Sequence, residues 1–311
     1  MSTHTARAQL LSVRYCGRNF TVEDLEEIRQ IIAAPDKPNR SAVARRVCER
    51  FQWLKPDGGL KVMSCNVALR RMDAKGLIAL PPPLRPPSPQ PRVPEFTAAS
   101  DPGPLLEGVR GDLGPLEFRQ VRQSADSRLW NELVARYHYA GYRRLPGAQL
   151  RYFVYANGQQ IAALGFGAAA WSVYDRDAFI GWSSQQREAR LHLVVNLARF
   201  LIYPWVRVRL LASSVLAQAA RRLPVDWMAR YCFKPVLLES FVECDRFNGT
   251  SLRAANWTCV GETVGRGKRD RLHTRPATSF KSIWTYPLDP AFRQVLCAPL
   301  PTGMPPDGGR S

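Results

Sequence analysis

The chain is short of the groups on which most recognisable chemistry rests. It has four histidines in 311 residues. No Gly-Lys-Ser/Thr, His-Glu-x-x-His or Ser-His-Asp pattern occurs, so P-loop NTPase, zincin and serine-hydrolase readings have no support. The seven cysteines (Cys16, Cys48, Cys65, Cys232, Cys244, Cys259 and Cys297) are scattered and odd in number. None of them forms a C-x-x-C pair, which removes a zinc ribbon and a dithiol redox motif. Free, mostly buried thiols in a reducing compartment are expected. Long apolar runs are missing too. The longest, residues 196–217, is interrupted by Arg199, Pro204, Arg207 and Arg209, which a bilayer would not accept without large cost. The first eleven residues lack a signal-peptide layout, so a cytoplasmic protein without membrane contact is expected. Acidic residues are scarce: 44 basic side chains face 26 acidic ones, a net +18. Such an excess suits phosphate polyanions, nucleic acid above all. Few of the cations are lysine, however, and an arginine-rich composition can by itself shift a chain this way.

Proline is abundant and unevenly placed. Residues 80–104 hold ten prolines in twenty-five positions, a composition that stays extended and acts as a semi-rigid spacer. The predicted organisation is therefore a small module over 1–80, a linker over 81–104, a larger domain over 105–298 and a disordered tail over 299–311. In the first module, Thr21 and Asp24 form a capping box for a helix over 22–33. Its apolar stripe is Leu25, Ile28, Ile31 and Ile32. Ser41 opens a second helix over 42–51. A third runs over 63–75 to the C-cap Gly76, and residues 77–80 add a strand. Helix, turn, helix and strand is the plan of a winged helix-turn-helix. Its third helix would present Asn66, Arg70, Arg71 and Lys75 to nucleic acid, with DNA the expected form. Small three-helix modules also dock partner proteins.

The larger domain alternates strands and helices. A helix over 126–137 turns Leu129, Trp130, Leu133 and Val134 inward. Strands over 149–155 and 161–166 flank Asn157-Gly158, the strongest short-range hairpin signal. A helix over 212–223 precedes a final strand, helix and strand. The fold class is α/β (α+β) around a mixed sheet. Its most informative stretch is 237–267. If 236–242 is a strand, Glu239, Phe241, Glu243 and Asp245 share one face. Three carboxylates there need a cation, a proton or arginines such as Arg246 and Arg253 to offset their repulsion. A basic loop follows, in which Gly265 and Gly267 free the backbone to cradle phosphate beside Arg266, Lys268 and Arg269. Near the first helix end, aromatics alternate with arginines from Tyr137 to Tyr152, which suits base stacking. His138 is there the best candidate for a titrating catalytic group, whereas His192 reads as core. Two classes stay open. One is a nucleic-acid-binding protein. The other is an enzyme, a metal-assisted nuclease or a transferase, using Glu239, Glu243, Asp245 and Arg246 with His138. The cofactor is not identified; Mg²⁺ is what clustered acids would hold, and no protein metal-ligand set is assigned.

The run from Asn196 to Ser213 resembles the pyrophosphate loop of the GNAT acyltransferase superfamily, with Arg207 beside a helix N-terminus that could take phosphate. Leu210, Leu211 and Ala212 stand where that superfamily has glycines, which argues against acyl-CoA. The segments YHYAGYRRLPGAQLRYFV, NLARFLIYPWVRVRLLAS, LLESFVECDRFNGTSLRAANW and VGETVGRGKRD together resemble the Druantia anti-phage system protein A family, which includes transposase-associated relatives. The resemblance spans about residues 20–298. It implies a GNAT-like larger domain, a role in phage defence or as a transposition accessory, contact with nucleic acid, and partner proteins of such a system.

Overall fold

A computed structural model of the protein describes residues 12–54, 58–84, 94–145, 147–263 and 280–300. The chain divides into two compact units, Met1–Gln90 and Pro91–Ser311. In the first, strands β1 (Val13–Tyr15) and β2 (Arg18–Phe20) form an antiparallel hairpin. Its two-residue turn is Cys16-Gly17, both at positive φ. Helix α1 (Val22–Ile32) carries the expected capping box, with Thr21 Oγ1 accepting from the Asp24 amide. Helix α2 (Arg40–Arg50) starts earlier than expected, because Asn39 and not Ser41 is the cap: its Oδ1 accepts from the amides of Ser41 and Ala42. Helix α3 (Val62–Asp73) follows. Phe20, Ile28, Val43, Val47, Leu69 and Met72 close the core between hairpin and helices. The strand expected over 77–80 is absent. The Leu77 amide instead bonds back to the Met72 carbonyl and the Leu80 amide to Asp73 Oδ1, so this segment caps α3 and has no partner strand.

The second unit is built on a seven-stranded sheet. Its members are β4 (Glu117–Gln120), β5 (Leu150–Ala156), β6 (Gln159–Ala168), β7 (Val194–Ile202), β9 (Leu237–Glu243), β10 (Thr258–Glu262) and β11 (Lys281–Pro287). They lie in the order β10-β11-β9-β7-β6-β5-β4. All neighbours are antiparallel except β7 and β9, which run parallel and pair only from Val194–Leu237 to Asn196–Glu239. A separate parallel pair joins β3 (Leu106–Val109) to β8 (Val206–Arg209). The Asn157-Gly158 hairpin of β5 and β6 forms as expected, both residues at positive φ.

Helix α4 (Ser124–Tyr137) packs through Trp130, whose ring fills the space a side chain at Gly165 would take and whose Nε1 donates to the Leu164 carbonyl. The short helices α5 (Tyr174–Ile180) and α6 (Ser184–Arg190) lie between β6 and β7 in sequence. Asp175 of α5 accepts from the Glu262 amide and presses against Gly261, tying α5 to β10. Helix α7 (Leu211–Tyr231) runs eight residues past the end expected at Leu223. Pro224 lacks the amide for one helical bond, but Leu216, Ala220, Leu223 and Trp227 keep a buried stripe in register across it. Helix α8 (Thr250–Ala254) and the terminal α9 (Phe292–Leu296) complete the unit. Residues of the expected linker belong to this unit: Thr97 donates twice to Glu132 of α4, and Ser100 is buried against Arg136 and Tyr137.

Candidate functional site

The acidic strand forms, yet its carboxylates do not assemble into one site. Glu239 is fully buried in the middle of β9. Its Oε2 accepts from Nη1 of the equally buried Arg176 at 2.6 Å, and its Oε1 accepts from the Ala170 amide at 2.7 Å. Arg176 also donates to the Ala170 carbonyl and, through Nε, to Asp177 Oδ1; its Nη2 lies 2.8 Å from the same oxygen without hydrogen-bond alignment. Asp177 is held in turn by Arg187, Trp182 and the Val173 amide. Burial pushes the Glu239 carboxyl up, opposed by Arg176 and the Ala170 amide. Its register partners on the flanking strands, Asn196 and Thr285, carry buried side-chain oxygens with no hydrogen-bond partner. The result is a polar row inside the sheet, with every Glu239 oxygen already bonded.

Glu243 sits at the far end of β9, 3.4 Å from both Arg246 and Lys281. Asp245 falls beyond the strand in an exposed turn, so the expected face of three acids is reduced to two, each with its own cation. Arg253 serves neither acid and lies over the Trp284 ring. Among the described residues no group of three or more His, Cys, Asp and Glu could hold a metal ion.

His138 lies at the C-cap of α4 and joins a different set. Its ring stacks on Tyr139 at 4.7 Å, Tyr139 meets Phe247 at 5.0 Å, and the Arg246 guanidinium lies 5.8 Å from the Tyr139 centroid. His138 Nδ1 accepts from the Ala140 amide, which assigns the proton to Nε2. Burial, helped by Arg199, lowers its pKa to about 4. Burial therefore keeps the ring neutral at pH 7. Tyr139 is raised by burial and by Glu243, with Arg199 opposing. Tyr139 thus stands between His138 on one side and Arg246 and Glu243 on the other, and no contact among the described residues joins Glu239 or Asp245 to this set. His192, expected in the core, is exposed and packs edge-on against Phe233.

Among the cationic candidates, Arg70, Arg71 and Lys75 are exposed on and just after α3. Neither arginine has a salt-bridge partner among the described residues, while Lys75 lies over the Tyr15 ring. Met63 and Val67 are exposed on the same helix. Asn66 is half-buried and donates to the Val62 carbonyl of its own helix, which weakens it as a reader of bases. Arg207 is on β8, not at the start of α7, and faces Glu107 at 3.6 Å. Arg266, Lys268 and Arg269 lie outside the described residues. The thiols divide: Cys48 and Cys65 are buried, but Cys232 and Cys259 are exposed. Sequence reasoning missed Arg176, Arg199 and Phe247 as site members. The segment Tyr174-Asp175-Arg176-Asp177, a lone arginine between acids, was the one local signal for the first.

No curated protein matches the chain. Similar solved structures include a chimeric spermidine N-acetyltransferase from Vibrio cholerae, 11% identical with TM-score 0.35, covering 54% of this chain and 93% of its own. An N-acetyltransferase from Staphylococcus aureus Mu50 is 9% identical, TM-score 0.35, over 56% and 99%. An N-acyl amino acid synthase from uncultured soil microbes is 11% identical, TM-score 0.35, over 61% and 97%. These likenesses are too distant to carry an activity or a ligand. A sequence family match is more extensive: residues 91–287, nearly the whole of the seven-stranded unit, match the family described as Druantia protein DruA. The chain belongs to the Druantia protein DruA family.

Proposed function

We propose that this protein is a nucleic-acid-associating component of an anti-phage defence system. Membership of the Druantia family suggests the defence role. The observation that supports nucleic-acid contact is the α3 face. Arg70 and Arg71 project from one helix with Lys75 just beyond it, exposed and, for both arginines, without a carboxylate among the described residues. Cations so placed are free to meet phosphate, and the recognition helices of helix-turn-helix proteins present basic side chains in this way. The net charge of +18 adds a long-range attraction for the same polyanion. On this reading the first unit holds duplex, probe DNA being the natural choice, in a helix-turn-helix-like manner. The second unit supplies a further contact or docks other proteins of the system. A transposition accessory role would use the same face.

The enzyme alternative has no comparable observation behind it. Glu239 is bonded to Arg176, Glu243 lies between Arg246 and Lys281, Asp245 is apart, and His138 is neutral.

Fluorescence anisotropy with a labelled duplex tests the proposal. The full chain is expected to bind. The variant Arg70→Ala/Arg71→Ala/Lys75→Ala should bind at least about tenfold more weakly at moderate salt, because three cations no longer neutralise phosphates. Equal affinity of the two proteins would reject the α3 face.

A further inference from the structure

Arg199 lies on β7 of the seven-stranded sheet. It follows Ala198, the extra residue of a β-bulge on β7: Leu197 pairs with Phe166 and Arg199 with Gly165. Just before it, at Asn196–Glu239, the parallel pairing of β7 and β9 stops although both strands continue. The guanidinium is held there by backbone alone, Nε donating to the Gly141 carbonyl and Nη1 to the Ala198 carbonyl. No carboxylate pairs with it and Nη2 has no acceptor among the described residues. Burial disfavours its charge, Tyr139 favours it, and Arg143 disfavours it further. A partly buried cation with no counter-charge is costly unless an anion completes it.

Aromatic surface lies next to this cation. Tyr139, which interacts electrostatically with Arg199, is backed by the neutral His138 ring and abuts Phe247. Tyr139 and Phe247 are 38% and 47% exposed and touch each other, so together they offer a small contiguous apolar face. Arg246 stands over Tyr139. The one carboxylate at hand, Glu243, is shared with Lys281, so cations outnumber it. Exposed rings interleaved with arginines are what single-stranded nucleic acid uses, since every base has a face to stack and every link a phosphate.

We propose that Arg199, Tyr139, Phe247 and Arg246 form a site for one nucleotide of a single strand, its base against Phe247 and Tyr139 and its phosphate on Arg199 and Arg246. The proposal rests on the nucleic-acid reading of the chain but not on the α3 face.

The test measures binding of the full chain to a labelled single-stranded oligothymidylate by anisotropy. Phe247 and Arg246 are exposed, so Phe247→Ala and Arg246→Gln leave the core intact. Loss of the ring is expected to weaken binding about tenfold, the effect of removing one base stack. Arg246→Gln is expected to weaken it and to flatten its salt dependence, and an abasic oligomer of equal length to bind worse than the thymidylate. Single-strand affinity unchanged by Phe247→Ala, or equal for the abasic and base-carrying strands, would overturn the site. If the wild type meanwhile binds duplex, only this inference fails. If it binds neither strand form, the nucleic-acid reading fails with it.

Discussion

Arg176 and Glu239 come from 63 residues apart to make a pair with no exposed surface on either side chain. Removing the carboxylate would leave the buried guanidinium only Asp177, which Arg187 shares, and breaking a fully buried pair costs about 3–5 kcal/mol at most. Glu239→Gln keeps the shape and the acceptor for Ala170 but takes one of two carboxylates from the guanidinium, so the second unit should lose up to about 3 kcal/mol of unfolding free energy. The double variant Glu239→Leu/Arg176→Met should recover most of it. Denaturant unfolding checks this, and an unchanged midpoint for Glu239→Gln would show that the pair contributes nothing. His138 gives a second prediction at this scale. Its folded pKa of about 4 is below the usual histidine value, so the unfolded chain binds the proton more readily between pH 6.5 and 4. The contribution of the neutral ring is complete above pH 6.5. It falls as pH drops through that window, by on the order of 3 kcal/mol in all. The difference in stability between wild type and His138→Gln should therefore shrink on acidification from pH 7 to 4. A difference that stays constant would place the ring in solvent. Of these two residues the sequence revealed only that they were unusual. An acid in an apolar strand and a histidine at a helix end can each serve catalysis or structure. Their partners, Arg176 and Arg199, are brought in by tertiary contacts that no local spacing encodes.

At the scale of elements, local chemistry was the better guide. The Thr21–Asp24 capping box, the Asn157-Gly158 turn and the inward stripe of α4 are all where short-range rules put them. The misses have physical causes. The β1–β2 hairpin turns on Cys16-Gly17, and a cysteine at positive φ is no recognised turn signal. Helix α7 passes through Pro224 because packing of Leu223 and Trp227 outweighs one absent hydrogen bond. Residues 77–80 looked strand-like, but an apolar run has no partner to pair with once α3 claims its amides. Gly249 shows a breaker with a tertiary reason. It has φ +67°, and a Cβ there would lie 2.2 Å from the Trp284 ring. Gly249→Ala must move that ring and adopt a left-handed backbone, so a loss of about 2–4 kcal/mol is expected from strain and overpacking together. An alanine variant as stable as wild type in thermal unfolding would mean that the turn before α8 relaxes freely.

Over the whole molecule, charge is the property the sequence stated most openly and the fold leaves uncommitted. Glu239, Asp177 and Glu243 of the second unit pair with arginines and a lysine, whereas Arg70, Arg71 and Arg199 have no carboxylate partners among the described residues. The chain divides at residues 90 and 91, and the structured edge of the second unit reaches back to Thr97, because Glu132 and Arg136 of α4 bind that segment. Sequence could not show this, since proline-rich composition is the same whether or not a helix lies beneath it. The salt dependence of duplex affinity tests the central claim most directly, since counterion release counts the phosphates a protein neutralises. For the full chain, log Kd plotted against log salt should be steep. In Arg70→Ala/Arg71→Ala/Lys75→Ala the slope should shrink by about 0.9 for each phosphate no longer neutralised, or about 3 in all. A wild-type affinity that ignores salt, or a slope identical in the triple variant, would contradict the account.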